Sequence, residues 1–266
     1  MTKSASGHSV VLTGATSGIG LATARLLTRS ATHLILHGPE LRSAVEPLLS
    51  TLPGEARIDY LHADFDELIQ VAALATRVGE LTGRVDVLIN NAGRPGPPTR
   101  TLSRDGYETT LQVNYLAAVL LTQRLTPLLR DGRVVHVASA THLSATLNVD
   151  DLHLERHPYS PTIAYARSKL AMVTHALWQA RHPGPPTVSI SPGVISTGLL
   201  HAMYGVGGAP TAHGARNVVQ AATAPGLPTG TYLDDGEPAT PSRLARDHAA
   251  QESLHQATTD LLKPWR

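Results

Sequence analysis

An α/β fold, a doubly wound parallel sheet of about seven strands with helices on both faces, is predicted by three features of the sequence. Short β-branched runs alternate with longer amphipathic ones along most of the 266 residues, the order expected of repeated βαβ units. Most of the short runs are continuously apolar, as in strands covered on both faces. No internal repeat and no linker of altered composition interrupts the chain, so one domain is expected over 1–266.

The first strand is SVVLTGA (9–15), which runs into a glycine-rich turn and a helix over 18–30. HLILHG (33–38) and ARIDYLHAD (56–64) are the next two strands, separated by a helix over about 40–50 and followed by one over 66–81. VDVLINNAG (85–93), GRVVHVAS (132–139) and TVSISPG (187–193) continue the sheet, with helices over 106–130 and 161–181 between them. A helix over 213–224, a last strand in GTYLDD (230–235) and a helix near 241–262 complete the pattern, the end of the chain (238–266) reading as an extension. Three long loops, 94–105, 140–160 and 194–212, leave the carboxyl ends of strands, the edge where open α/β sheets bind ligands. The third is expected to act as a lid over the substrate.

Composition narrows the chemistry. With no cysteine, disulfides, thiolate metal sites and cysteine nucleophiles are excluded. The 22 Lys+Arg against 21 Asp+Glu leave no electrostatic reason to bind nucleic acid or an anionic membrane. Charged residues at 16% and hydrophobic ones at 42% indicate a well-buried globular protein. No run is apolar enough to span a membrane, and the opening residues, 1–7, form a polar, flexible lead without the apolar core of a signal peptide. A soluble cytoplasmic protein is expected. Among the 14 histidines, His153 and His157 are four apart but flank a proline loop, and His248 and His255 are expected to be solvated. No metal site is expected. The adjacent Asp150 and Asp151 are not a placed acid pair.

The turn after the first strand carries the clearest chemical signal. Gly14, Gly18 and Gly20 stand at a strand-to-helix junction, where a dinucleotide pyrophosphate needs backbone approach without Cβ atoms, free amides and a helix dipole. TGATSGIG (13–20), NNAG (90–93) and Tyr165-Ala166-Arg167-Ser168-Lys169 together resemble the short-chain dehydrogenase/reductase family, and the resemblance runs from about residue 8 to the tail. Within it, DGYETTLQVNYLAAVLLT (105–122), DDLH (150–153), AYARSKLAMV (164–173) and PGVISTGL (192–199) resemble the branch that includes retinol dehydrogenases and protochlorophyllide reductases. The resemblance implies a Rossmann-type sheet, a nicotinamide cofactor, mostly NADP(H), and apolar carbonyl or alcohol substrates.

It also implies a tetrad of Asn114, Ser139, Tyr165 and Lys169. Tyr165 and Lys169, four apart on a helix, share a face. A nearby ammonium favours the phenolate of a group that otherwise ionises near pH ~10, so Tyr165 is expected to exchange a proton with the substrate oxygen. Ser139, with Ser144 as the alternative, would hold that oxygen. Asn114 would hold a water linked to Lys169, and Asn is a weak helix former that suggests a task. Around the cofactor the resemblance places Gly14, Thr16, Ser17, Gly18, Ile19 and Gly20 at the pyrophosphate. It places His37, Gly38, Asp64 and Phe65 at the adenosine, and Asn91, Ala92 and Gly93 along the floor. Tyr165, Lys169, Pro192, Gly193, Val194 and Thr197 fall around the nicotinamide, with Thr197 on its carboxamide.

Cofactor choice depends on the end of the second strand. Gly38 stands where NAD-preferring relatives carry Asp, and Pro39 where NADP-preferring ones often carry Arg. Glu40 suits the start of the next helix, and Arg42 or His37 would reach a phosphate. NADP(H) is therefore expected, with NAD as the alternative. Leu143, Leu147, Leu199, Leu200, Met203 and Tyr204 suggest an apolar substrate pocket, with Pro95, Pro97 and Pro98 stiffening a third wall and Tyr159 a contact by position. The function expected is an NAD(P)-dependent oxidoreductase acting as a carbonyl reductase (ketoreductase) on a small-molecule carbonyl or alcohol. The alternatives are a dinucleotide-sensing binding protein without turnover, and a redox isomerase or dehydratase using bound cofactor. Members of the family often form homodimers or homotetramers through the helices here at 106–130 and 161–181, and the branch also contains monomers.

Overall fold

A computed structural model describes residues 8–265, so the polar lead over 1–7 lies outside the described residues. Among the described residues the strands are β1 (Ser9–Leu12), β2 (His33–Gly38), β3 (Arg57–His62), β4 (Val87–Asn90), β5 (Arg133–Val137), β6 (Thr187–Ser191), β7 (Tyr232–Asp234) and β8 (Glu237–Ala239). They form one sheet in the order β3-β2-β1-β4-β5-β6-β7-β8. Every pairing is parallel except β7–β8. The helices are α1 (Gly18–Leu27), α2 (Arg42–Leu49), α3 (Leu68–Leu81), α4 (Thr109–Leu111), α5 (Ala117–Leu125), α6 (Pro161–Ala180), α7 (Gly198–Tyr204), α8 (Thr211–Thr223), α9 (Arg243–Arg246) and α10 (His248–Leu262).

Continuous apolarity means what the sequence implied: every residue of β1, β4 and β6 is buried. Side chains alternate across a strand, and the two faces feed two cores. Val10, Leu12, Leu34, Leu36, Ile89, Val135 and Ile190 pack with Leu27 of α1 and Val218 of α8. Val11, Ile35, Leu88 and Val134 pack on the other face with α3, α5 and α6. The C-terminal extension joins this second core through Leu254 and Leu262 of α10. Among the described residues no helix is long and apolar enough to cross a membrane.

Four elements differ from the sequence expectation. The eighth strand, three residues containing a proline, is an edge strand returned by the two-residue turn Asp235-Gly236, both at positive φ (51° and 90°), a hairpin turn that favours Asp-Gly. The helix expected over 106–130 begins at Thr109 and is interrupted by a π-helical segment, Gln112–Leu116, which contains Asn114. Loop 194–212 contains α7, and its base is fastened where Ile195 bridges Ala209. The last helix is broken at Asp247, an extended residue whose carboxylate caps α10 by accepting from the Ala250 amide. His255 is half-buried rather than fully solvated, its ring stacking on Trp178 at 3.5 Å.

Two histidines are locked into the interior as neutral rings. His136 of β5 accepts from the Asn90 amide at 3.2 Å and donates to the Gln179 side-chain oxygen at 3.1 Å. His37 of β2 donates to the Ala63 carbonyl at 2.9 Å, accepts from the Gly14 amide at 3.4 Å and stacks on Phe65. Burial pushes both from the ordinary 6.5 down to about 4. Between those values the unfolded chain binds more protons, so stability is complete above pH 6.5 and falls as the pH drops toward 4. The expected slope is up to about 1.4 kcal/mol per pH unit for each histidine. Urea titrations between pH 7 and 4 should show it, and His136→Gln should remove about half; an unchanged slope in that variant would remove His136 from the account.

Candidate active site

The sheet order reverses between β1 and β4, so the loops after those strands diverge and leave a crevice at the carboxyl edge. A cavity of about 1330 Å³ occupies it. The turn after β1 supplies one wall, residues 91–95 after β4 the floor, and the loops after β5 and β6 the far end.

Thr13, at the end of β1, stitches the two diverging loops together. Its buried hydroxyl accepts from the Asn91 and Ala92 amides, both at 3.0 Å. The Asn91 side chain donates back to the carbonyls of Thr13 (2.9 Å) and Gly14 (3.1 Å). Asn90 points the other way, donating to Thr122 at 2.9 Å. Only glycine fits this seam. A Cβ on Gly20 would lie 1.9 Å from the Gly14 carbonyl oxygen, and Gly14 itself, at φ +64°, would place one 2.8 Å from the Ala92 Cα.

This cradle fits a dinucleotide pyrophosphate. Ser17 precedes α1 without capping it through its side chain, and the first turn carries no acid, so the helix N-terminus faces the cavity with its dipole uncompensated. Thr16, Ser17, Gly18 and Ile19 line the same wall. His37, Asp64 and Phe65 line the end at β2 and β3. Asp64 caps its own turn by accepting from the Asp66 amide at 3.0 Å. His37, buried and neutral with both ring nitrogens engaged, is not a charged anchor for a phosphate, contrary to the sequence expectation. Arg42 does not line the cavity and pairs with Glu46 at 3.0 Å one turn along α2.

At the opposite end Ser139, Tyr165 and Lys169 converge on the cavity. Ser139 follows β5, and its hydroxyl accepts from the Thr141 amide at 3.3 Å and the Thr141 hydroxyl at 3.1 Å. Ser144 does not line the cavity and donates to the Thr141 carbonyl at 3.3 Å. Tyr165 and Lys169 lie on one face of α6, with the Lys169 ammonium 5.5 Å from the centre of the tyrosine ring. Lys169 donates to the Val137 carbonyl at 2.8 Å. Gly93 leaves the room, since a Cβ there would stand 3.4 Å from both Lys169 Nζ and Asn114 Oδ1.

Burial pushes the Tyr165 phenol above its ordinary 10, Ser139 beside it pulls the other way, and Tyr204 of α7 adds to the rise. Burial also brings Lys169 down to about 8. Desolvation of the anion is the larger effect, so burial favours the neutral phenol. Asn114 is buried in the π segment, and both its amide hydrogens are engaged, one to the Arg94 carbonyl and one to the Ser168 hydroxyl, each at 3.0 Å. Its oxygen accepts from the Arg94 amide at 2.8 Å. The side chain thus fastens the loop after β4 to α6 and does not line the cavity.

Pro192, Gly193, Val194 and Thr197 follow β6 along the cavity wall. Thr197 caps α7 by accepting from the Leu200 amide at 3.2 Å. Leu199, Leu200, Tyr204 and Val206 bring the lid segment over the cavity, and Pro95 faces it from the floor. The other apolar residues read as pocket walls lie elsewhere. Leu147 faces a separate, smaller cavity, and Tyr159 donates to the Pro97 carbonyl at 3.0 Å. Sequence reasoning missed Glu40, Arg94 and Asp235 on the wall. Asp235 accepts from His213 at 2.6 Å and Asn217 at 2.8 Å; its signal was the Asp-Gly turn beside the last strand. His153 and His157 serve different partners, the Glu108 amide and the Asp151 carboxylate.

Comparison with known proteins agrees with this geometry. The family described as short chain dehydrogenase matches residues 8–204. A Streptomyces sp. (strain C5) protein, provisionally named a daunorubicin C-13 ketoreductase, is 37% identical over 86% of this chain and 83% of that one. Polyprenol dehydrogenase of Mus musculus is 37% identical over 93% and 82%. Human retinol dehydrogenase 13 is 32% identical over 73% and 60%. A solved structure of an uncharacterized Mycobacterium paratuberculosis protein superposes with a TM-score of 0.80 at 30% identity, covering 97% of this chain and 96% of that one.

Two glycine variants separate the seam from ordinary helix effects. Gly20→Ala should destabilise by about 2 kcal/mol or more through overpacking and abolish dinucleotide binding. Gly79→Ala, in α3, where an added Cβ meets only Leu128 at 3.9 Å, should stabilise by about 0.5–1 kcal/mol. Thermal melts and nucleotide titration check both; equal effects would contradict the seam.

Proposed function

The chain belongs to the short-chain dehydrogenase family, and from that premise we propose that it transfers hydride between a nicotinamide cofactor and an apolar ketone, aldehyde or secondary alcohol, working as a carbonyl reductase. The observation that carries this reading is the placement of Ser139, Tyr165 and Lys169 at one end of a cavity whose other end is the glycine cradle. When bound, the cofactor supplies the hydride, or takes it up in the reverse direction.

The chain's own residues handle the oxygen and its proton. Ser139 and Tyr165 present hydroxyls to the same region and hold the substrate oxygen between them. Tyr165, kept neutral by burial, donates its proton as the carbonyl becomes an alcohol. Lys169, brought to about 8 and anchored on the Val137 carbonyl, keeps a transferable proton near neutrality and restores the phenol. Asn114 acts by position, holding the floor against α6.

Gly93 and Val194 complete the nicotinamide end, with Pro192 and Gly193 turning the chain beside it and Thr197 within reach of a carboxamide. Leu199, Leu200, Tyr204 and Val206 give the lid an apolar underside, which supports an apolar substrate and excludes water. Cofactor choice rests on the corner around Gly38, where the expectation of NADP(H) meets the Glu40 carboxylate.

Purified protein should oxidise a reduced nicotinamide cofactor with a panel of apolar ketones and aldehydes. Tyr165→Phe should lower turnover by about 10²–10⁴-fold while leaving cofactor affinity within severalfold. Retained turnover in that variant would remove Tyr165 from its role, and cofactor binding without oxidation across the panel would favour a sensor.

A further inference from the structure

The cavity's corner at the carboxyl end of β2 contains an acid that the sequence assigns to a helix start. Glu40 does not begin α2: Leu41 is the residue before the helix, which starts at Arg42. The Glu40 carboxylate turns back to the glycine-rich turn instead, where Oε1 accepts from the Thr16 hydroxyl at 3.3 Å. Its main chain is fixed by Tyr60, whose hydroxyl donates to the Glu40 carbonyl at 2.7 Å.

Gly38 makes this arrangement possible. A Cβ there would lie 2.5 Å from Thr16 Cγ2, 2.7 Å from the Tyr60 hydroxyl and 2.8 Å from Glu40 Oε2. A side chain at 38 would make all three move, and with glycine there the Glu40 carboxylate lies over this spot. No cation on the described wall answers it. Arg42 is paired with Glu46, His37 is neutral, and Arg94 and Lys169 belong to the far end beside Asn114.

We propose that Glu40 makes this chain select NADH over NADPH, its carboxylate accepting the 2′-hydroxyl of the adenosine ribose and repelling a 2′-phosphate. This reverses the sequence expectation of NADP(H), and it rests on the reductase reading above. An ionised carboxylate only accepts hydrogen bonds, which suits a hydroxyl. A phosphate monoester carries about −1.5 to −2 charges at neutral pH and offers that carboxylate no donor.

Direct titration with NADH and NADPH, followed by nucleotide fluorescence, tests the assignment without any turnover. The wild-type protein should bind NADH at least about tenfold more tightly than NADPH, one 1.4 kcal/mol step. Glu40→Gln keeps an acceptor and removes the charge, so it should erase most of that ratio, chiefly by tightening NADPH. Circular dichroism verifies that the variant is folded, and Glu40→Ala serves as a second variant with the same expected direction. A wild-type preference below tenfold, or a ratio unmoved in both variants, overturns the role of Glu40 alone. Failure of the wild-type protein to bind either nucleotide overturns the reductase reading together with it.

Discussion

The structure depends on the close approach of two loops at the point where the sheet reverses direction. β1 and β4 are hydrogen-bonded neighbours, yet their chains leave in opposite directions, and the crevice between them exists only if the two exits stay in register. The Thr13 hydroxyl and the Asn91 amide hold that register with four hydrogen bonds. Gly20 allows helix α1 to start against the Gly14 carbonyl. These contacts serve packing and binding together: the glycines that let the chain close the seam also expose the amides that a pyrophosphate needs.

At the other end of the crevice, burial sets the chemistry. Tyr165 and Lys169 are both almost wholly withdrawn from water, and desolvation pushes each toward its neutral form. A phenol raised by burial stays protonated at neutral pH, so Tyr165 holds the proton that the proposed reduction calls for. A lysine near neutrality in its ionisation can reload that acid. The Asn114 side chain ties the cavity floor together. Its position in a π-helical segment, a feature often found at functional sites, directs its amide across the cavity floor to Arg94 and Ser168.

Much of this was legible in the chain. Strands buried on both faces announce themselves by continuous apolarity, and the glycine spacing, NNAG and the Tyr165–Lys169 pair point to residues that the structure brings around one cavity. What escaped depended on side-chain direction or on short-range geometry. Glu40 has the composition of a helix start, and only the packing of Thr16 and Tyr60 over Gly38 shows that its carboxylate turns back. His37 looks like a cation for a phosphate until its two hydrogen bonds show a neutral ring. The lysine's influence on Tyr165 was judged from spacing, whereas the cost of burying a phenolate is a property of the whole surround. α7 and β8 were too short for periodicity to reveal, although the Asp235-Gly236 dipeptide marked the hairpin.

Hydride transfer to a carbonyl carbon in the crevice, with the buried phenol supplying the proton, is the central proposal. The most direct test is reduction of an apolar ketone with a cofactor deuterated at the reactive carbon of the nicotinamide, with the product analysed by mass spectrometry and NMR. One deuterium at the carbinol carbon for each cofactor consumed, from one face of the ring only, is the predicted result. Product without label at that carbon, or label lost to water, would contradict it.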